Sequence, residues 1–288
     1  MTRIGAVFSP YQYSPDDFKT AVHDAEAAGL GQLWIWEDCF RESAYASASA
    51  ALAWTENLRI GIGIAPMPLR NVAVTAMEVA TIERLFPGRL IPGFGHGVLE
   101  WMGQVGARVA SPLTLMREYL PALRALLAGE EVTVSGRYVT LDRVRLDWPP
   151  AAPPTIYSAG EGPKTLALSG EHTAGTILTG GNSLTQLTAQ IAQVNAGAKN
   201  VGREQQPKII AYLNAAFGAE SEKRVRAESG ERGIDDDRAA WGEPEDVAAV
   251  ARRFADIGVD DVVLTPVAGE PDLAEFFRAA VEVERLLS

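Results

Sequence analysis

Two periods of apolar and polar residues alternate along the chain. Short runs rich in β-branched residues recur, separated by longer stretches whose apolar residues fall three and four apart. The strand-like runs are Arg3 to Phe8, Gln32 to Trp36, Leu58 to Ile64, Arg89 to Phe94, Thr155 to Ser158, Gly175 to Thr179, Lys208 to Phe217 and Asp260 to Thr265. Between them lie helical patterns at Pro15 to Ala28, Ser43 to Trp54, Val72 to Leu85, Pro112 to Ala128, Pro163 to Gly170, Ser183 to Asn200, Glu243 to Ile257 and Pro271 to Leu287. Boundary residues agree with this reading. Ser14-Pro15-Asp16-Asp17 supplies a helix cap, a first-position proline and first-turn acids, and Gly29 and Gly258 follow helices where a left-handed residue is needed. Eight strands alternating with eight helices predict an α/β fold, a (β/α)8 TIM barrel. A doubly wound sheet also fits, because alternation alone does not show closure.

Two segments break the alternation. Glu131 to Leu141 has period two around Ser135-Gly136 and predicts a β-hairpin inserted between the fourth helix and the fifth strand. Ala219 to Ala240, following the seventh strand, is charged and reads either as a lid or as a solvated charge run. The proline stretch Asp147 to Pro154 resembles a linker, but the pattern continues across it, so residues 1–288 are expected to form one unit. The length of 288 residues suits one large barrel.

Composition narrows the partners. Apolar residues at 47% and charged residues at 22% describe a soluble globule, which excludes disordered and fibrous classes. A net charge of −11 repels phosphodiester backbones and anionic lipid, so neither nucleic acid nor membrane is expected as a partner. The single cysteine, Cys39, excludes an internal disulfide and a multi-cysteine metal site. With no signal-like apolar segment at the start, a cytoplasmic location is expected.

In a barrel, chemistry gathers at the C-terminal ends of strands and in the loops that follow. The second strand ends in Glu37-Asp38, two adjacent carboxylates of which at least one can face the mouth. The third carries Gly61 and Gly63 before Pro66 and Pro68, glycines that imply a bulge or a close approach. The fourth ends in Gly93-Phe-Gly-His-Gly97, where His96 is the candidate proton or hydrogen-bond donor. The fifth runs into Ala159-Gly160-Glu161-Gly162-Pro163 and the sixth into Thr179-Gly180, each before a helix; together they predict a grip for a phosphorylated cofactor or substrate. His23 and His172 have no ligand spacing, so no metal site is expected. Neither a G-x-S-x-G elbow nor a Walker pattern is present, which disfavours hydrolase and nucleotide-phosphate chemistry. A phosphosugar isomerase or aldolase would need a lysine or metal set at strand ends, and none is found.

These stretches, with Ala76-Met-Glu-Val-Ala-Thr-Ile-Glu-Arg-Leu-Phe-Pro-Gly-Arg89 and Arg117 to Glu130, resemble the bacterial-luciferase-like family of flavin- or deazaflavin-dependent oxidoreductases. The resemblance runs from the first strand to the last helix and is to the branch using the deazaflavin coenzyme F420, with FMN users sharing most positions. It implies a TIM barrel that tends to dimerise, with a non-prolyl cis peptide at Gly63-Ile64 behind the cofactor ring. It places Asp38, Glu37, Gly95 and His96 near the ring, and Ala159 to Gly162 with Thr179 and Gly180 at the cofactor phosphate. The sugar-phosphate dehydrogenases of that branch carry a histidine and a glutamate where this chain has Cys39 and Val98, so their acid–base pair is missing here. The expected activity is hydride transfer between reduced F420, or FMN, and a small organic substrate. His96 would act on the substrate while Asp38 or Glu37 positions the cofactor. An FMN-dependent monooxygenase using O2 and a non-catalytic flavin-binding barrel are the alternatives.

Overall fold

A computed structural model describes residues 2–229 and 237–288 of the chain. Its strands are β1 (Arg3–Val7), β2 (Gln32–Ile35), β3 (Arg59–Pro66), β4 (Leu90–Gly95), β5 (Val132–Ser135), β6 (Thr140–Val144), β7 (Tyr157–Ala159), β8 (Gly175–Leu178), β9 (Lys208–Phe217), β10 (Ala239–Gly242) and β11 (Asp261–Pro266). The order β9-β11-β1-β2-β3-β4-β7-β8 closes through a β8–β9 pairing, and every one of these pairs is parallel. This is the closed eight-stranded TIM barrel, so the doubly wound alternative is excluded.

The helices are α1 (Pro15–Ala28), α2 (Ala44–Trp54), α3 (Val72–Leu85), α4 (Leu99–Gln104), α5 (Pro112–Leu127), α6 (Pro163–His172), α7 (Leu184–Asn200), α8 (Ser221–Ser229), α9 (Pro244–Asp256) and α10 (Leu273–Leu287). Three elements escaped the sequence pattern: the short α4 in the loop after β4, α8, and β10, which extends the sheet beside β9. The charged stretch from Ala219 to Ala240 therefore contains a helix and the start of a strand, and residues 230–236 within it lie outside the described residues. The hairpin is β5–β6, continuing to Val144. Its turn is tied to α5 by Glu118, whose carboxylate accepts from the N–H groups of Arg137 (2.9 Å), Tyr138 (2.8 Å) and Val139 (3.1 Å).

Strand alternation sorts the core into two layers. Residues such as Ile4, Leu33, Ile60 and Val262 face the helices. Inside the barrel, Val7, Trp34, Ile91, Tyr157, Ile177, Ile210, Tyr212 and Val263 fill the lumen. The glycines of β3 make room for two of these, Trp34 and Tyr212. A Cβ on Gly61 would stand 2.3 Å from the Trp34 ring, and one on Gly63 would stand 1.8 Å from the Tyr212 hydroxyl. Close approach of aromatic rings thus explains the Ile-Gly-Ile-Gly-Ile pattern, and a register shift between Ile62 and Ala65 adds the bulge. Below Trp34, its Nε1 donates to Gln32 Oε1 (3.2 Å) and Gln32 Nε2 donates to Asp261 Oδ2 (2.9 Å), a buried polar chain across the barrel floor. Among the described residues no helix is long and apolar enough to cross a membrane.

Candidate functional site

The C-terminal ends of the strands open into a cleft of about 570 Å³. All twelve residues singled out in the sequence line it: Glu37, Asp38, Gly63, Ile64, Gly95, His96, Ala159, Gly160, Glu161, Gly162, Thr179 and Gly180. They come from β2, β3, β4, β7 and β8 and the loops after them, brought together by closure of the barrel. Trp36, Pro66, Val98, Leu99, Trp101, Pro112 and Tyr212 complete most of its wall and are largely apolar. The Gly63–Ile64 peptide is cis, as is Cys39–Phe40.

The two carboxylates after β2 have different fates. Glu37 is buried and accepts both arms of Arg70, Nη1 at 2.5 Å and Nη2 at 2.7 Å, as well as the Ala44 N–H at 3.2 Å. Arg70 also pairs with Glu78 (3.2 Å) and lies over the Tyr45 ring. A carboxylate held this way fixes the β2–α2 loop against the loop after β3 and has little capacity left for a ligand. Asp38 is freer. Tyr11 donates to its Oδ2 at 2.7 Å, and Arg41 is stacked over the Tyr11 ring at 4.1 Å. Burial raises the Asp38 carboxyl above the usual aspartate range, opposed by the Tyr11 hydrogen bond and the Arg41 charge. Burial also pushes the Cys39 thiol up, helped by the charges of Glu37 and Asp38, so it is no thiolate nucleophile at neutral pH.

His96 sits half-buried at the end of β4, with Nε2 3.5 Å from Thr165 Oγ1 and Nδ1 buried without a hydrogen-bond partner. Burial lowers its pKa below the ordinary 6.5, so the imidazole is neutral at pH 7. A buried, unpaired ring nitrogen facing no protein partner is a costly arrangement unless a ligand completes it.

The two glycine turns also differ. α6 begins at Gly162, which provides no side-chain cap, with Pro163 next and no acid in the first turn, leaving backbone donors for an anion. Gly160 packs against Thr165, where a Cβ would stand 2.2 Å from Cγ2. The turn after β8 contributes Thr179 and Gly180 to the wall, but the helix behind it is closed. Ser183 and Gln186 cap α7 reciprocally (2.9 and 3.3 Å), and the Leu184 N–H donates to Asp237. The second anion site expected there is therefore already filled by the chain's own side chains.

Sequence reasoning missed Tyr11, Arg70 and Thr165. Tyr11 follows β1 and Arg70 follows β3, so the rule that loops after strands carry chemistry would have reached both. Thr165 lies inside a helix and had no such signal. Among the described residues no cluster of metal-ligating side chains exists.

A deazaflavin or flavin fits these residues. It needs an apolar wall for a flat ring, a hydrogen-bonding group where the substrate would meet the ring and backbone donors for a phosphate. The cleft offers Ile64 and Trp36, the unpaired His96 nitrogen and the open start of α6.

The chain is 28% identical over 204 residues to the 5,10-methylenetetrahydromethanopterin reductase of Methanolobus tindarius, covering 70% of this chain and 62% of that one. It is 30% identical over 197 residues to the F420-dependent glucose-6-phosphate dehydrogenase of Kineococcus radiotolerans, covering 63% and 58%. These matches span about three-fifths of the length of the curated relatives. In structure it superposes with a TM-score of 0.87 on an F420-dependent secondary alcohol dehydrogenase in complex with an F420-acetone adduct, at 21% identity over 100% of this chain and 99% of that one. The monooxygenase RslO1 from Streptomyces bottropensis gives 0.83 at 18% identity, covering all of both chains. These structural likenesses establish the fold. Residues 1–229 match the model of the family described as luciferase-like monooxygenase, and the chain belongs to that family.

Proposed function

We propose that this protein is an oxidoreductase that moves a hydride between reduced coenzyme F420 and a small organic substrate. The observation that carries this reading is the cleft itself: an apolar wall, one uncapped helix start and one unpaired imidazole nitrogen converge in it. The F420-dependent relatives favour the deazaflavin over FMN. When bound, the cofactor would supply the hydride, which carries the electron pair. The chain's own residues bind, orient and exclude water. Ile64 and Gly95 would hold the ring, and Ala159 to Gly162 with Thr179 and Gly180 would hold the phosphate end. Asp38, steadied by Tyr11, positions the cofactor, and Glu37 supports it through the Arg70 anchor. His96, neutral at pH 7, would donate a hydrogen bond at the substrate oxygen and relay from solvent the proton that balances the hydride, taking one up as it passes one on.

The test is an absorption titration of the purified protein with F420 and with FMN. Tight F420 binding is expected. Binding of FMN alone, with consumption of O2, would instead favour the FMN-dependent monooxygenase reading, which the likeness to RslO1 motivates. Bound cofactor that no donor or acceptor turns over would mark a non-catalytic flavin-binding barrel.

We further propose a cytoplasmic homodimer built from the whole chain. α2 is apolar on nearly all sides, and Val74 (47%), Met77 (58%) and Leu85 (65%) stand exposed along α3, a face that a second copy would cover. Sedimentation of Met77→Glu against the parent checks it; an unchanged dimer would refute this interface.

A further inference from the structure

The mouth of the barrel has a charge pattern that bears on what enters it. Among the described residues, no lysine or arginine lines the cleft. Of the basic groups beside it, Arg70 holds Glu37 and Glu78, Arg41 lies over Tyr11 with Nη1 donating to Pro10 O at 3.1 Å, Arg238 donates to Gly181 O at 3.0 Å, and Lys164 stands exposed in the first turn of α6, at the end assigned to the cofactor. The acidic side chains that do line it are Glu37, Asp38 and Glu161. Glu161 is exposed and approached by the Thr179 hydroxyl at 3.4 Å. Away from the α6 start, the cleft therefore offers negative charge and one neutral imidazole, with no cation to pair an anionic substrate.

Another part of the lining is apolar and open. Val98 (45%) and Leu99 (46%) stand exposed at the start of α4 and line the cleft with Trp101 and Pro112. Large side chains left this exposed beside a cavity gain by being covered, whereas burying an unpaired carboxylate or phosphate against them costs several kcal/mol.

We propose that the substrate is an uncharged, predominantly apolar molecule bearing one polar reducible group, seated on the Val98–Leu99–Trp101 wall, and that Val98 and Leu99 set this preference. The inference deepens the oxidoreductase reading by naming its substrate class. It predicts that phosphorylated and carboxylated compounds are excluded by the lack of a counter-charge, with the uncapped α6 start reserved for the cofactor.

The experiment uses two matched probes, benzylideneacetone and its para-carboxylate, titrated calorimetrically into the protein with and without oxidised F420. The neutral enone should bind at least about tenfold more tightly than the carboxylate. Leu99→Lys, at an exposed position, should reverse that order, and Val98→Lys should repeat the effect. Equal or tighter binding of the carboxylate by the parent, no binding of the neutral probe, or an unchanged ratio in both variants would overturn the proposal. The cofactor titration is read separately. Loss of F420 and FMN binding would defeat the oxidoreductase reading, while the probe ratio without cofactor still judges the wall.

Discussion

The two ends of the barrel treat buried polar groups in opposite ways. At the floor every polar group of the central chain has a partner: Trp34 donates to Gln32, and Gln32 donates to Asp261. Beside it, Arg89 donates to the carbonyls of Leu52 (3.2 Å), Thr55 (2.9 Å) and Leu58 (3.0 and 2.9 Å) and to the Thr55 hydroxyl (2.6 Å), knitting α2 to β3 and β4. At the mouth, His96 Nδ1 is buried without a partner, Asp38 has its pKa raised by burial, and α6 starts without a cap. One end is closed by its own hydrogen bonds and holds the strands in register. The other carries unsatisfied groups whose cost the rest of the fold offsets, and such groups mark where a ligand completes the structure.

The contrast can be broken most forcefully at the floor. Gln32→Leu should leave the Asp261 carboxylate and the Trp34 N–H unpaired in the core and lower the unfolding free energy by about 3 kcal/mol, read by urea denaturation. Cofactor affinity should hardly move, since the change lies below the Trp34 layer. A smaller loss, about 2 kcal/mol, is expected for Arg89→Lys, because an ammonium cannot reproduce the planar fork that reaches three carbonyls and a hydroxyl. The urea midpoint of that variant is the check.

At the mouth the signs should differ. His96→Ala removes an unsatisfied nitrogen, so stability should stay within about 0.5 kcal/mol. Turnover should fall about a hundredfold with cofactor affinity nearly intact. Equal loss of turnover and cofactor binding would show that His96 holds the cofactor and does not act on the substrate. The smallest effect is in pH. Burial depresses the His96 pKa in the folded state, so the unfolded chain takes up its proton first as pH falls below about 6.5. Stability from this group is therefore full above that pH and is lost as pH falls towards the folded value. The His96→Phe variant should show a shallower decline, with His172, also depressed by burial, supplying the remainder. An identical slope in both proteins would refute the assignment.

Much of this was legible in the chain. The alternation of strand and helix gave the barrel's order, because each amphipathic stretch needs one buried face and the period reveals which residues form it. Gly29 and Gly258 end their helices with φ of 84° and 99°, as their positions implied. Most of the cleft residues were legible because a barrel places strand ends together whatever the loops contain, while Ile64 was reached only through the family resemblance. What escaped notice has physical reasons. α4 is too short to show a helical period, and α8 with β10 begins in a charged stretch whose apolar residues are few. Glu37 and Asp38 are neighbours in sequence, and nothing in their order tells which one Arg70 captures, 33 residues away.

The sequence by itself determined the order of strands and helices and the loops where chemistry gathers, because periodicity and caps are local properties; closure into a barrel rests on the β8–β9 pairing across the fold. Only the tertiary structure decided which groups there remain free. Hydrogen bonding is a matter of distance across the fold: it occupies Glu37 with Arg70 and closes α7 with its own cap, and it leaves His96 Nδ1 and the start of α6 open to a ligand.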